Sequence, residues 1–385
     1  MNKITIFEYD RKYRAKIEEE FEKKKCVYAT MSFGNDIQIN LDNLPNDTEK
    51  IVIDISHFFR DEYIASLNAL AIEKLIDKIV GKFSIFLIID KRYCQMFQDV
   101  LYHKIKKIID LAEMFEIKSI NNNIIDIEET EFQEIIKFVN DNLIGHEKFK
   151  LGLEKELKKY RLFNKLGYYP IFSVFICGKS GIGKTEVARI LHRKLSPEES
   201  FIKINFGNYS DQNALSSLIG SPRGYIGSSK GELTDKLENS NSRIILIDEF
   251  EKSNQAVQNF FLQLLEDGVF TDSLGREYDL NKYIIIFTSN LTRENVGKKI
   301  APELISRFSF KYSLSELTNE DKKLYVEKRT DKIVSDLKEN LKIDLTNEEV
   351  EYIKNINEEN INYNNMRNVN SELMNRICDM VYPKM

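Results

Sequence analysis

Residues 171–195 read IFSVFICGKSGIGKTEVARILHRKL. An apolar run interrupted only by Ser173 leads into a glycine-rich octet, and Val187, Ile190 and Leu191 then recur at helical spacing, which predicts a buried strand, a tight loop and a helix. The octet, Gly178, Lys179, Ser180, Gly181, Ile182, Gly183, Lys184 and Thr185, fits G-x-x-x-x-G-K-[ST] without a mismatch. Its glycines let backbone N–H groups close around phosphate oxygens, and the helix N-terminus adds its positive end. Lys184 is placed to reach the β- and γ-phosphates of ATP, and Thr185 to hold Mg²⁺. A strand so apolar belongs in a parallel sheet covered by helices, so the fold class is α/β.

Two further apolar runs end in polar residues suited to the same site. RIILIDEF (243–250) predicts a buried parallel strand that delivers Asp248 and Glu249 at its carboxyl end. Asp248 suits the Mg²⁺ shell, and Glu249 suits a base that polarises water for in-line attack. KYIIIFTSN (282–290) predicts a third buried strand ending in Asn290, whose amide can orient the attacking water, because strand ends of such a sheet line the ligand crevice. Each run alone reads as a capped or acidic strand end. Three strand ends converging on one phosphate read as chemistry.

Composition narrows the alternatives. The 385 residues leave room for two or three domains, and 42% hydrophobic with 30% charged residues excludes a disordered chain. A net charge of -5 supplies no bulk field for nucleic acid, so none is expected as a partner. No apolar run approaches the roughly 18 residues of a membrane helix, and MNKITIFEYDRKYR carries charges where a signal peptide needs an apolar core. The expected location is the cytoplasm, without a membrane. Cys26, Cys94, Cys177 and Cys378 have no disulfide or zinc spacing and read as buried or half-buried thiols, and the scattered histidines do not read as ligands.

Ahead of the glycine-rich loop the pattern alternates. An opening strand and a charged helix through KIEEEFEKKK are followed by strand-like DIQINL (36–41) and KIVIDI (50–55) and an amphipathic helix over 62–80. KFSIFLIID (82–90) then predicts a buried strand and residues 94–115 another helix, which together make a small α/β domain. A helix over EETEFQEIIKFVNDNL closes it, so this recognition or regulatory domain is drawn over residues 1–140. With IVIDIS leading into a helix, the region resembles the STAS regulatory domains, although RDEYIAS has no serine directly after the acid, where many such domains carry one. An unrelated α/β recognition domain fits equally.

From about residue 143 the chain resembles the AAA+ ATPases, and within them the Clp unfoldases and disaggregases, most closely their second ATPase ring. The resemblance rests on LIGHE, the glycine-rich loop, LIGSPRGYIG, ILIDEFEKSN, FLQLLEDGVFTDSLGR, IIFTSN and PELISRF. It implies a large ATPase domain over 141–312 and a small helical lid over 313–385, with KLYVEKRTDKIVSDLKENL as the lid's long helix. It makes Asn290 the first sensor and Arg307 an arginine finger reaching a neighbour's γ-phosphate. Arg367 corresponds to the second sensor, although Asn-Met stands before it where the family has Gly-Ala. It also implies a homo-oligomeric ring, in this family a hexamer. In GYIG, Tyr225 and Ile226 match the pore loop that grips an extended polypeptide, and the hairpin over 266–280 matches a second pore loop, with Arg276 as its candidate channel residue. One ATPase module, no coiled-coil insertion, no zinc motif and no protease-docking tripeptide point to a self-standing remodeller, with an adaptor at the N-terminal domain as a possible partner.

The expected function is therefore a Mg²⁺–ATP-driven ring that pulls on polypeptide. The alternative is an assembly switch in which the N-terminal domain signals without threading, as the torsins show a Clp-like core can work without a pore aromatic. A nucleic-acid motor fits poorly with a pore loop that is aromatic and not rich in Lys or Arg.

Overall fold

A computed structural model describes residues 3–384 apart from 34–36, 41–49, 60–64, 66–69, 71, 75–76, 78–83, 118–122, 210–212, 222–229 and 357–365. Its contacts divide the chain into two units, Met1–Ile120 and Asn121–Met385.

The first unit is built on a five-stranded sheet of β1 (Ile4–Tyr9), β2 (Val27–Tyr28), β5 (Lys50–Asp54), β6 (Ser84–Asp90) and β7 (Ile105–Asp110). The order across it is β2-β5-β6-β1-β7, and every pairing is parallel. Successive side chains of a strand face opposite ways. Val52 and Ile88 accordingly join Ile17 and Phe21 of the helix Arg14–Lys23 on one face, while Ile51, Ile53, Leu87 and Ile89 meet Phe58, Phe97 and Leu101 on the other. A separate antiparallel pair, β3 (Thr30–Phe33) with β4 (Ile37–Asn40), lies between β2 and β5 in the chain. Much of the helix predicted over 62–80 lies outside the described residues, as do Asp61 and Ser66 of the STAS comparison.

Residues 94–115 do not form one helix. The helix Lys91–Leu101 stops, β7 pairs along β1, and only a short helix, Leu111–Met114, follows. Ile105, Ile108 and Ile109 have the three- and four-residue spacing of a helical stripe, but they also form a β-branched run. The open edge of β1 decides between these readings, since its unpaired backbone groups need partners.

The second unit carries another five-stranded sheet: β8 (Phe172–Cys177), β9 (Ile202–Asn205), β10 (Ile244–Asp248), β13 (Ile284–Ser289) and β14 (Phe310–Ser313). The order is β14-β8-β13-β10-β9, again parallel throughout. Val174, Ile176, Leu246 and Ile286 pack against the helices Glu129–Asn142, Glu147–Lys165 and Lys184–Leu195. Phe175, Ile247 and Phe287 meet Phe250 and Phe261 of the opposite layer. The antiparallel hairpin β11 (Val269–Thr271) and β12 (Glu277–Asp279) stands apart from the sheet. Helices Asn319–Asp336, Asn347–Lys354 and Met366–Val381 gather around their own core of Val326, Ile353, Val369, Leu373 and Ile377.

The division at Ile120 lies upstream of the sequence-based boundary at 140. Ile124, Phe132, Ile136 and Val139 are buried in the second unit's core, so the helix Glu129–Asn142 belongs to that unit. Cys26, Cys94 and Cys177 are buried, whereas Cys378 is exposed and not half-buried as expected. Among the described residues no helix is long and apolar enough to cross a membrane.

Phe132 is fully buried. Phe132→Ala should destabilise the second unit by about 3–5 kcal/mol through lost burial and a residual cavity. Denaturant unfolding followed by a probe in that unit checks this, and the first unit's transition should not move.

Candidate nucleotide site

The strand β8 ends at Cys177, and the loop turns at once through Gly178, whose φ is +137° and whose N–H donates to the Leu291 carbonyl at 3.0 Å. A methyl group on Gly178 would lie 2.6 Å from the Leu314 carbonyl oxygen, so the backbone requires glycine. Gly183, at φ +98°, precedes the helix that begins with Lys184 and half-buried Thr185. The loop's N–H groups and the helix N-terminus form a cradle that fits a phosphate chain.

Lys184 is buried, and its Nζ donates to the carbonyls of Gly178 and Lys179, each at 2.7 Å, and to Oδ1 of Asn290 at 3.0 Å. Burial lowers its pKa, Glu251 and Asp248 oppose that shift, and the charge of Arg367 adds to it. Arg367, in the first turn of Met366–Val381, therefore shares the electrostatic neighbourhood of Lys184. On β10, Oδ1 of Asp248 accepts from the Thr288 hydroxyl at 2.5 Å, and Oδ2 pairs with Lys203 Nζ at 2.8 Å. Burial alone would raise the Asp248 pKa, but hydrogen bonds from Lys203 and Thr288 leave it lowered, so the carboxylate is ionised.

Glu249 has left-handed backbone, φ +56°, and its Oε2 accepts from Lys252 Nζ at 2.6 Å. Such a conformation costs a β-carbon residue on the order of 1–3 kcal/mol and is found at functional sites. Asn290 is fixed from both sides, since its backbone N–H donates to Glu251 Oε1 at 3.1 Å while its side chain holds Lys184. Lys184, Asp248, Glu249 and Asn290 thus follow three adjacent parallel strands at their carboxyl ends.

Arg307 lies elsewhere, at the end of the helix Pro302–Arg307, 47% exposed and 3.1 Å from Glu266. The groove beside it, about 350 Å³, is lined by Tyr168, Tyr169, Glu266 and Arg307. Tyr225 and Ile226 lie outside the described residues. Arg276 is not a free channel group in this structure: it bonds Asp272 at 2.8 Å and Glu238 at 2.8 Å, which ties the hairpin to the helix Glu232–Asn239.

Sequence reasoning passed over several residues here. Lys203, Thr288 and Glu251 act on the site through space, and nothing in their local sequence marks them. In the sequence His146 is one of four scattered histidines. Its Nε2–H donates to the Ile182 carbonyl of the glycine-rich loop at 2.9 Å, and its position in LIGHE, at the N-terminus of Glu147–Lys165, was the available signal.

The model of the AAA domain (Cdc48 subfamily) matches residues 169–379, more than half of the chain. The chain belongs to the AAA ATPases of the Clp/Hsp100 family. It is 37% identical over 170 residues to the negative regulator of genetic competence ClpC/MecB of Bacillus subtilis, which covers 43% of this chain and 21% of that protein. It is 38% identical over 157 residues to the chaperone protein ClpB of Oceanobacillus iheyensis, covering 40% of this chain and 19% of that one. The matches thus span about a fifth of the length of these relatives. A closed-state cryo-EM reconstruction of Hsp104 with ATPγS and FITC-casein matches in fold with a TM-score of 0.58 and 15% identity, covering 100% of this chain and 88% of that chain. As an AAA ATPase the protein binds ATP and is an ATP hydrolase.

Burial holds both His146 and His192 neutral, with pKa values below the usual histidine range. The unfolded chain protonates first, from about pH 6.5 downward, so their contribution to stability is complete above that pH and is lost as the pH falls toward the lowered folded values. Between pH 7 and 5 the melting temperature of the wild type should fall more steeply than that of His146→Gln, His192→Gln, as a pH series of thermal melts would read.

Proposed function

We propose that the protein is a Mg²⁺–ATP-driven, ring-forming remodelling ATPase that grips polypeptide with the loop carrying Tyr225 and Ile226. The observation that carries the reading is the separation of two parts of one reaction. Lys184, Asp248, Glu249 and Asn290 meet around the glycine-rich loop, whereas Arg307 stands half exposed beside Glu266. A half-exposed arginine beside a groove suits action on the nucleotide of a neighbouring copy, and identical contacts repeated head to tail close a ring, here taken as a hexamer.

In this reading, backbone N–H groups from Gly178 to Gly183 hold phosphate oxygens, Lys179 and Ser180 shape the loop, and Lys184 leaves its carbonyl partners for the β- and γ-phosphates. Thr185 and Asp248 would hold Mg²⁺, which would draw charge from the phosphates. Glu249 polarises the attacking water, Asn290 orients it, and Arg367 reports nucleotide state to the helical lid over 313–385. With the boundary moved to Ile120, residues 121–312 form the ATPase domain. Residues 1–120 recognise a client or adaptor in the cytoplasm, without nucleic acid.

Arg307→Ala should lower kcat by about 10³–10⁵ while nucleotide binding survives, as single-site titration beside steady-state turnover would read. Unfolded protein should stimulate hydrolysis in the wild type and not in Tyr225→Ala. Stimulation that persists in Tyr225→Ala excludes gripping by this loop and favours the assembly switch. In Glu249→Gln, ATP should bind without turnover and clients should stay trapped for mass spectrometry.

A further inference from the structure

The two sheets share one topology. Numbered within each unit by chain order, both run 5-1-4-3-2 and both are parallel throughout. The third strand ends on aspartate in each, KIVID on Asp54 and IILID on Asp248. The first strand of each feeds a helix whose first residue is basic, Arg14 in one and Lys184 in the other. Across the sheets, Asp90 ends the fourth strand of the first unit as Asn290 follows that of the second. The likeness to the Hsp104 chain also extends over all of this chain, the first unit included.

What differs is the connection after the first strand. In the second unit Gly178–Gly183 provide six residues with three glycines, but in the first unit only Asp10, Arg11, Lys12 and Tyr13 intervene, with a 3₁₀ turn over Arg11–Tyr13 and no glycine. This shorter, glycine-free connection lacks the backbone freedom with which the second unit's loop cradles phosphate. The aspartate is also fully engaged. Asp54 Oδ2 accepts from Arg14 at 2.5 Å and from the Tyr9 hydroxyl at 2.7 Å. Its Oδ1 accepts from the backbone N–H of Ser56 at 3.0 Å and from the Ser56 hydroxyl at 2.5 Å. The Ser56 Oγ in turn accepts from the Asp90 N–H at 2.8 Å, closing the network across the third and fourth strands. The Arg14 guanidinium also lies 4.8 Å from the Tyr9 ring centre.

We infer that residues 1–120 are a second copy of the ATPase fold whose nucleotide crevice has been replaced by an internal lock, with Arg14 on Asp54 standing where a phosphate chain and its metal would lie. The chain then has two units of one fold and a single nucleotide site. The first unit keeps one conformation while the second cycles, which makes it a fixed element of the assembly and not a second motor.

The test uses the full-length protein and ATPγS. Equilibrium dialysis should find one nucleotide per chain in the wild type and none in Lys184→Ala. Hydrogen exchange with mass spectrometry should show that ATPγS protects residues 178–190 and leaves 4–23 and 50–58 unchanged. In Asp54→Asn, exchange over residues 9–14 should accelerate, because the lock has lost its charge. Two nucleotides per chain, binding retained in Lys184→Ala, or nucleotide protection over residues 9–14 would overturn the inference. Unchanged exchange in Asp54→Asn would overturn the lock.

Discussion

The ammonium of Lys184 is the point on which the second unit depends. It is buried, it carries a charge that burial disfavours, and it meets that cost through two loop carbonyls and the Asn290 amide. Hydrogen bonds to a charged group are worth about 1.5–3 kcal/mol each, so this one side chain ties the glycine-rich loop after β8 to the end of β13. The tie works only because β8, β13 and β10 are adjacent and parallel, which brings their carboxyl ends to one edge. The same sheet order that buries Ile176, Leu246 and Ile286 therefore also assembles the site.

The electrostatics around that edge follow one rule. Each acidic group near the loop is held by a specific partner: Asp248 by Lys203 and Thr288, Glu249 by Lys252, Glu251 by the Asn290 N–H. Burial alone would raise the Asp248 pKa, but its partners hold it below the usual carboxylate range in this partly buried site. The first unit applies the rule further, giving Asp54 four donors from three residues and leaving no donor loop beside it. One fold thus appears in two chemical conditions, an exchangeable ligand site and a closed internal network.

Local patterns in the sequence carried the second unit well. The apolar runs ending at Cys177, Asp248 and Ser289 are buried strands, and the octet between strand and helix is where its spacing put it. Three features were not legible. The strand β7 was hidden because Ile105, Ile108 and Ile109 fit a helical stripe as well as a β-branched run, and only an unpaired strand edge distinguishes them. The duplication was hidden because its marker in the second unit, the glycine-rich loop, is the part the first unit lacks. KIVID and IILID resemble each other, but five residues become informative only once both are seen as third strands. The partners of Asp248 and the contact of His146 with Ile182 are spatial, and no spacing rule reports them.

In the proposed ring, catalysis needs two copies of the chain, one supplying Glu249 beside its own nucleotide and the next supplying Arg307. Mixing two inactive variants, Glu249→Gln and Arg307→Ala, tests this directly by steady-state ATP hydrolysis. Activity should return in the mixture, since an Arg307→Ala subunit keeps Glu249 and receives Arg307 from a Glu249→Gln neighbour. A mixture as inactive as its components, with mixed rings demonstrated by native mass spectrometry, would contradict it.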